Sequence, residues 1–223
     1  MTLMDFKLYL ITDRELFSGS EAFFEAVESA LQGGVKVVQL REKDLSARAL
    51  LSMAYRIREL TMKYRAKLLI NDRADIALCA GADGVHLSQG SMPAFAIRRI
   101  AGDSFFIGCS AHSLEEARLC EKEGADFITF GPLYQTPSKL KYGAPVGVEA
   151  LKKVREEIAV PVFGIGGIKC DSIKPVMDAG AHGIAVISGI LAEKDIKGAA
   201  ERYLKEIKNA GTGEGTGSLE EGL

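Results

Sequence analysis

The chain has few cysteines, and no two of them show the C-x-x-C spacing of metal and redox motifs. Cys79, Cys109, Cys120 and Cys170 are scattered along the sequence, each among apolar or small residues. Thiols in such surroundings behave as small apolar side chains and are commonly buried. We therefore expect buried, free thiols in a reducing compartment.

Runs of like charge and long uninterrupted apolar runs are absent as well. The net charge is −2 and no cluster of lysine and arginine resembles those of nucleic-acid-binding proteins, so we expect no nucleic acid partner. The apolar stretch 1–10 is interrupted by Asp5 and Lys7, which argues against a secretory signal or a membrane span. The sequence predicts a cytoplasmic protein with no membrane partner.

Short apolar runs alternate with amphipathic segments over the 223 residues. Such alternation with short connections favours a parallel α/β sheet. About 250 residues is the usual length of a (β/α)₈ barrel, so we predict a single TIM barrel over residues 1–209. Residues 210–223 are mostly glycine, threonine, serine and glutamate, and we expect a disordered tail. The predicted strands are 6–11, 35–43, 67–70, 84–87, 105–108, 127–130, 161–165 and 183–187.

The second predicted strand ends in a group of polar residues, Gln39, Arg41, Glu42 and Lys43. A strand that simply leaves the core can end this way, but the same pattern recurs at other strand ends. Because the carboxyl ends of parallel strands meet at one mouth of a barrel, we expect these residues to form a site there. The other groups are Asn71-Asp72, His86, Ser110 with His112, and Gly166-Gly167.

Two of these groups suggest a diphosphate and a metal ion. Arg41 and Lys43 flank Glu42 and point to the same side of an extended chain, which suits a multiply charged anion. Asp72 is suited to Mg²⁺, which binds one or two carboxylates together with substrate phosphate oxygens. An equally open interpretation is that Asp72 only caps the helix that follows it.

Two glycine-containing segments, Gly166-Gly167 after strand seven and 187–189 after strand eight, favour a monophosphate site. Many barrels bind phosphate with backbone amides of these two loops. The long loop before strand seven adds Thr136, Ser138 and Lys139, two hydroxyls and a cation spaced to face one ligand. Long connections inside a compact barrel are usually functional, with a solvated surface loop as the alternative.

The three histidines differ in their predicted surroundings. His182 precedes strand eight and is expected on the surface at the amino end of the barrel. His86 alternates with apolar residues in strand four, which indicates a core group with satisfied hydrogen bonds. His112 follows Ser110 at the mouth, where a neutral imidazole could transfer protons near pH 7.

Taken in order around the barrel, these residues resemble the thiamine phosphate synthase family, which includes the related thiazole tautomerases. The resemblance runs from Leu8 to about Leu204 and leaves out only the tail. The matching motifs are Gln39-Leu40-Arg41-Glu42-Lys43, Asn71-Asp72, Gly108 to His112, Thr136-Pro137-Ser138-Lys139, Gly164 to Ile168 and Ile187-Ser188.

The resemblance implies that hydroxymethylpyrimidine diphosphate is coupled to a thiazole phosphate carboxylate, giving thiamine phosphate and pyrophosphate. In the family reaction the pyrimidine C–O bond breaks first, and the thiazole nitrogen captures the cation. By position, the residues for the pyrimidine diphosphate are Gln39, Leu40, Arg41, Glu42, Lys43, Asn71, Ser110 and Lys139, and those for the thiazole phosphate are Thr136, Ser138, Gly166, Gly167, Ile187 and Ser188. Arg41, Lys43, Ser110, His112 and Lys139 are the expected catalytic residues, and Mg²⁺ is the expected cofactor, bound by Asp72.

One position departs from the synthase pattern. Synthases usually carry a second Mg²⁺-binding aspartate after strand four, and Ser91 stands there in this chain. Losing one of two carboxylates weakens a metal site, although Mg²⁺ can retain water and bind the diphosphate, with Ser91 beside it. Ser91 and the sequence around His112 also resemble the tautomerase branch, in which this histidine shifts a proton on the thiazole and no metal is needed.

Three functions therefore remain open at this point, with the synthase preferred. The diphosphate-binding residues Arg41, Lys43 and Lys139 argue for the synthase, because a tautomerase has little use for them. The first alternative is a tautomerase that uses His112, and the second is a non-catalytic barrel that binds a thiamine precursor. The sequence leaves the oligomeric state open, including a homo-oligomer.

Overall fold

Eight parallel strands close into a barrel in which each strand pairs with the next along the chain and the eighth pairs with the first. The computed structural model describes residues 4–136 and 144–211. The strands are β1 (Leu8–Ile11), β2 (Val37–Leu40), β3 (Lys67–Asn71), β4 (Gly84–Leu87), β5 (Phe106–Ala111), β6 (Phe127–Phe130), β7 (Val162–Ile165) and β8 (Gly183–Val186).

Helices lie between successive strands and cover the outside of the barrel, which confirms the predicted (β/α)₈ TIM barrel. Two short 3₁₀ segments, Arg14–Leu16 and Cys170–Ser172, precede the first and the seventh helix. The helices are α1 (Ser20–Gln32), α2 (Ala47–Lys63), α3 (Ala74–Cys79), α4 (Ala94–Ala101), α5 (Leu114–Lys122), α6 (Gly147–Glu157), α7 (Ile173–Asp178), α8 (Ser188–Leu191) and α9 (Ile196–Gly211). None of them, over the ranges that the structure describes, is long and apolar enough to cross a membrane.

Two separate apolar layers explain why the strands are apolar on both faces. Outward-facing residues such as Leu10 and Val38 pack against the helices. Inward-facing residues form a second cluster that contains Tyr9, Phe127 and Phe163. The Phe127 ring lies edge-on to those of Tyr9 and Phe163, with ring centroids 5.5 and 5.6 Å apart. These aromatic rings fill the barrel interior below the mouth, so the polar residues above them form the floor of a site.

Gly108 in β5 makes room for this interior packing. A Cβ atom at this position would lie 2.3 Å from Cζ of Phe127 and 2.6 Å from Nδ1 of His86. Both distances are far below van der Waals contact. The glycine therefore allows the aromatic ring and the imidazole to share one level of the barrel.

Two elements near the mouth differ from the sequence-based expectation. Strand β5 continues to Ala111 instead of ending at residue 108, because Ser110 and Ala111 pair with Thr129 and Phe130 of β6. Ser110 thus lies within a strand rather than after it. A short helix, α8, follows β8 directly, where the sequence predicted only a loop.

Further differences concern helix ends and cysteines. The sequence predicts Ser20 as the cap of the first helix, but Gly19 is the N-cap of α1 and Ser20 is its first residue. The last helix includes Ala210 and Gly211, which were predicted to begin the disordered tail, and the rest of that tail lies outside the described residues. All four cysteines are free, as expected, but only Cys109 is buried. Cys120 and Cys170 are half-buried, and Cys79 is exposed because the buried side of α3 is formed by other residues.

Candidate active site

The polar residues at the end of β2 point in different directions. Gln39 is buried next to the Tyr9 hydroxyl inside the barrel. Leu40 packs its side chain in the outer apolar layer, so only its main chain is available to a ligand at the mouth. Arg41 is half-buried and Lys43 is exposed, with Nζ of Lys43 3.8 Å from Oδ2 of Asp72. One cation of the predicted diphosphate site therefore lies beside the predicted metal ligand.

Glu42, which the sequence placed among the substrate-binding residues, turns away from Lys43 and toward β1. Its Oε1 accepts a hydrogen bond of 2.6 Å from Oγ1 of Thr12 and one of 3.2 Å from the backbone N–H of Arg14. The Glu42 side chain is only 3% exposed. Burial raises the pKa of the Glu42 carboxyl, and the two hydrogen bonds counteract this effect. Its carboxylate is thus held by the protein itself.

Asp72 is held at the end of β3 by hydrogen bonds from neighbouring side chains. Oδ1 accepts bonds of 2.5 Å from Oγ of Ser91 and 2.7 Å from the backbone N–H of Ser88, and Oδ2 accepts one of 2.7 Å from Nδ2 of Asn71. The first residue flanking α3 is Arg73, and no side chain caps that helix. The interpretation of Asp72 as a helix cap is therefore wrong.

Asp72 has an unusual backbone conformation and a lowered pKa. Its φ angle is +58°, in the left-handed region that aspartate tolerates better than most residues. Burial raises the pKa of the Asp72 carboxyl, but hydrogen bonds from Ser91 and Ser88 and the charge of Lys43 outweigh it, so the pKa lies below its ordinary value. Asp72 is consequently ionised at neutral pH and presents a negative charge at the mouth.

His86 lies fully buried at the centre of a polar network inside the barrel. Its Nε2 is 3.0 Å from Oγ of Ser110 and 3.3 Å from Oγ1 of Thr129, and its Nδ1 is 3.3 Å from the Tyr9 hydroxyl. Burial lowers the pKa of His86 to about 3. The charge of Arg41 also lowers this pKa, and the charge of Asp72 raises it. The expectation of a satisfied core histidine is confirmed, and the network holds Ser110 at the floor of the site.

His112 occupies the rim of the mouth and is exposed. Its Nδ1 lies within hydrogen-bond distance of the Gly131 carbonyl oxygen, and its backbone N–H donates to Oε2 of Glu116 at 2.6 Å. Because a carbonyl oxygen only accepts, Nδ1 must carry the proton in this contact. A neutral His112 therefore leaves Nε2 free to accept a proton, as the sequence-based hypothesis requires.

The glycines after β7 serve a close approach between two loops. Gly166 and Gly167 have φ angles of +95° and +68°. A Cβ atom on Gly166 would lie 2.5 Å from Cβ of Pro132, and one on Gly167 would lie 2.7 Å from the Gln135 carbonyl oxygen. The backbone N–H of Tyr134 donates to the Gly166 carbonyl at 3.0 Å. The loops after β6 and β7 are thus joined, and both lead to the mouth.

The remaining predicted residues fall into two groups. Ile187 is the N-cap of α8 and Ser188 is its first residue. Both lie next to the β7 loop, because β7 and β8 are paired neighbours. Thr136 is half-buried at the end of the β6 loop. Ser138 and Lys139 lie outside the described residues.

Asp72 fits Mg²⁺ only as a partial ligand. Within residues 4–136 and 144–211, no group of three or more His, Cys, Asp or Glu side chains could hold a metal ion. The oxygens near Asp72 are its own carboxylate and the hydroxyls of Ser88 and Ser91. Mg²⁺ commonly binds one carboxylate together with substrate phosphate oxygens and water, so this donor set is compatible with a metal that arrives with a diphosphate.

Some residues of the mouth were not singled out from the sequence. Thr12 and Ser88 each follow a short apolar strand, β1 and β4, and each donates a hydrogen bond to a carboxylate of the site. Their position directly after a strand is the sequence feature that could have identified them as residues of the mouth. Tyr9 had no such signal, because it lies within an apolar run.

The fold and the mouth together define a TIM barrel of the enzyme type, with cations after β2, a carboxylate after β3 and glycine loops after β7. The model of the family described as "Thiamine monophosphate synthase" matches residues 8–190. The chain belongs to this family.

Individual relatives agree with this assignment. The chain is 44% identical over 206 residues to the thiamine-phosphate synthase of Ruminiclostridium cellulolyticum, covering 92% of this chain and 97% of that protein. It is 45% identical over 198 residues to the thiamine-phosphate synthase of Clostridium novyi, covering 89% and 97%. Among solved structures, a thiamine phosphate pyrophosphorylase from Pyrococcus furiosus superposes with a TM-score of 0.83 at 37% identity, covering 92% of this chain and 96% of that one.

Proposed function

We propose that this chain is a thiamine-phosphate synthase, a transferase that joins hydroxymethylpyrimidine diphosphate to a thiazole phosphate carboxylate and releases pyrophosphate. The observation that carries the proposal is the 3.8 Å contact between Nζ of Lys43 and Oδ2 of Asp72. This contact supports the proposal, because a lysine beside a carboxylate suits a diphosphate that binds together with Mg²⁺.

The side chains of the mouth stabilise charge and do not supply a strong nucleophile. In the proposed reaction the pyrimidine C–O bond breaks, its electron pair leaves with pyrophosphate, and the thiazole nitrogen then bonds to the pyrimidine cation. The carboxylate leaves the thiazole as CO₂, and the electron pair of the broken C–C bond stays in the ring, which gives the thiazolium of thiamine phosphate. Arg41 and Lys43 stabilise the negative charge that grows on the departing pyrophosphate. Asn71 and Ser110 contact the pyrimidine diphosphate, and Lys139 is proposed as a third cation.

Mg²⁺ is the proposed cofactor, bound through Asp72 and substrate oxygens. When bound, it neutralises charge on the diphosphate. Asp72 is held in its orientation by Asn71, Ser88 and Ser91, and a metal ion would take the place of at least one of these donors. The hydroxyl of Ser91 lies where synthases usually carry a second aspartate, and we propose that it interacts with metal-bound water.

The opposite side of the mouth is proposed to hold the thiazole phosphate. The first N–H groups of a helix have no partner within the helix and can donate to phosphate. Ile187 and Ser188 stand at such a position in α8, next to the β7 loop. Backbone contacts from Gly166 and Gly167 and hydroxyls from Thr136 and Ser138 complete the proposed subsite.

A tautomerase remains a second candidate on one observation, the orientation of His112. The Gly131 carbonyl fixes Nδ1 as the donor, so Nε2 can take a proton from a thiazole. The curated relatives described above carry synthase names, which favours the first candidate and gives no support to a non-catalytic binding barrel. The free cysteines are compatible with a reducing compartment such as the cytoplasm.

The deciding experiment is release of pyrophosphate from the pyrimidine diphosphate plus the thiazole phosphate carboxylate, with Mg²⁺ and with a chelator. We expect release that requires both substrates and the metal. Arg41→Ala and Lys139→Ala are expected to abolish it, whereas Arg48→Ala, at an exposed arginine of α2, should retain it. No release by the wild-type chain, together with conversion of a thiazole tautomer, would favour the His112 reaction instead.

A further inference from the structure

The buried pair Thr12 and Glu42 connects the end of β1 with the start of the cationic segment after β2. Thr12 is fully buried and Glu42 is 6% exposed, and Oγ1 of Thr12 donates to Oε1 of Glu42 at 2.6 Å. The backbone N–H of Arg41 donates to Oγ1 of Thr12 at 2.9 Å. The threonine hydroxyl thus bridges a buried carboxylate and the backbone of a residue proposed to bind diphosphate.

The chemistry of the hydroxyl fixes the direction of both hydrogen bonds. A threonine hydroxyl has one proton and two lone pairs, and an ionised carboxylate only accepts. Because the Thr12 hydroxyl donates its hydrogen bond to Glu42, its lone pairs are available to the N–H of Arg41. Glu42 therefore orients the hydroxyl that holds Arg41.

This contact lies where the regular pairing of β1 and β2 ends. The last paired residues are Ile11 and Gln39, and the backbone N–H of Thr12 still donates to the Gln39 carbonyl at 2.9 Å. In a regular parallel ladder, the next N–H of β2 would bond a backbone carbonyl of β1. The N–H of Arg41 bonds the Thr12 side chain instead. The side chain thus guides the chain out of the sheet at this residue.

Anchoring Glu42 also decides where its neighbours face. Gln39 lies inside the barrel and Leu40 faces the outer layer. Side chains alternate along the strand, so Arg41 faces the mouth and Glu42 lies on the outer side, where it bonds Thr12. Lys43 is exposed and reaches Asp72, and the charge of Arg41 acts on His86 at the floor of the site. Both cations therefore face the mouth.

We infer that Thr12 and Glu42 are positioning residues for the diphosphate: the Thr12–Glu42 hydrogen bond and the Thr12–Arg41 hydrogen bond together aim Arg41 and Lys43 at the mouth. This inference rests on the proposed function, since it assumes that the two cations meet a diphosphate. Neither Thr12 nor Glu42 needs to touch the substrate in this role.

The test compares Thr12→Val, which keeps the shape but removes the hydroxyl, with Thr12→Ser, which keeps the hydroxyl. Binding of inorganic pyrophosphate with Mg²⁺ is measured by calorimetry, and KM is measured separately for the two substrates. Losing one buried hydrogen-bond acceptor is expected to weaken pyrophosphate binding by about tenfold in Thr12→Val. The KM for the pyrimidine diphosphate should rise similarly, while the KM for the thiazole phosphate carboxylate stays unchanged.

Thr12→Ser is expected to bind pyrophosphate as the wild type does. Equal losses in the Ser and Val variants, unchanged pyrophosphate binding in Thr12→Val, or a parallel rise of both KM values would overturn the positioning role. If Thr12→Val does not fold, Glu42→Leu gives a second comparison, because it removes the acceptor of the Thr12 hydroxyl and should weaken pyrophosphate binding several-fold; unchanged binding there would equally overturn the role.

Failure of the proposed function would look different from failure of this inference. A wild-type chain that binds no pyrophosphate and releases none from the two substrates would contradict both. A wild-type chain that binds and releases pyrophosphate, with Thr12→Val equal to it, would remove only the positioning role of Thr12 and Glu42.

Discussion

Oγ of Ser91 lies 2.5 Å from Oδ1 of Asp72, so a hydroxyl donor stands beside the only carboxylate proposed to bind the metal. Burial alone would raise the pKa of Asp72, and the bonds from Ser91 and Ser88 reverse that effect. In a site with two aspartates, the second carboxylate would instead repel the first until a cation bound. Ser91 therefore stabilises the ionised Asp72 carboxylate in the absence of metal, but it does not supply the second carboxylate ligand that an aspartate would.

Ser91→Asp is expected to lower the Mg²⁺ concentration that gives half-maximal pyrophosphate release. A second carboxylate adds a direct oxygen ligand, and a gain of about 1.4 kcal/mol in metal affinity corresponds to about tenfold. The measurement is the initial rate as a function of Mg²⁺ concentration. Ser91→Ala serves as the control and should not show this decrease. A variant that needs as much Mg²⁺ as the wild type would argue that position 91 is remote from the metal.

His86→Gln is expected to weaken the dependence of stability on pH. The folded pKa of His86 is about 3, below the ordinary value of 6.5, so protonation favours the unfolded chain as the pH falls. The contribution of neutral His86 is complete above pH 6.5 and is lost progressively toward pH 3. At about 1.4 kcal/mol per pH unit, the wild type should lose about 2 kcal/mol more than the variant between pH 7 and pH 5.

This difference is measured by urea unfolding at the two pH values. His112→Gln, at an exposed histidine, is the control and should keep the wild-type dependence. If His86→Gln and the wild type lose stability in parallel, His86 is not held neutral by the fold.

Gly108→Ala is expected to destabilise the barrel by about 1–3 kcal/mol, the usual cost of overpacking a core. The added methyl group would meet Phe127 at 2.3 Å, and the Phe127 ring already contacts the rings of Tyr9 and Phe163. Gly211→Ala is the control, because a Cβ atom at this position, at the end of α9, would have no other atom within 4 Å. Equal free energies of unfolding for both variants would show that the interior is loosely packed.

His112→Ala is expected to spare the coupling of the two substrates and to impair only a proton shift on the thiazole. The imidazole stands at the rim and is fixed by the Gly131 carbonyl, apart from the cations after β2. The coupling is followed by pyrophosphate release and the proton shift by NMR of the thiazole. Loss of both activities to the same degree would contradict this division.

Much of the barrel could be predicted because its determinants are local. The apolar runs of β1 to β8 and the glycines between them are visible in the sequence, and the ends of these runs mark the mouth. The extension of β5 to Ala111 could not be seen, since it depends on pairing with Thr129 and Phe130. Long-range pairing decides where a strand ends when its own residues allow either outcome.

The candidate site was predicted in its residue types but not in their directions. Arg41, Lys43 and Asp72 were recognised by charge and position. Glu42 looked equivalent to its neighbours in the sequence, yet its carboxylate bonds Thr12 and the backbone of Arg14, 30 and 28 residues earlier in the chain. Such partners are brought together by the pairing of β1 with β2, so no local pattern reveals them.

The contact between the loops after β6 and β7 limits which sequence changes the mouth of the barrel tolerates. Tyr134 bonds Gly166 through the main chain, and a Cβ on Gly166 or Gly167 would strike the opposite loop. A residue inserted into one loop would displace the other, whatever its side chain. A change in the length of one loop therefore requires a matching change in the other. A change of substrate specificity is easier through side-chain substitutions than through changes of the backbone.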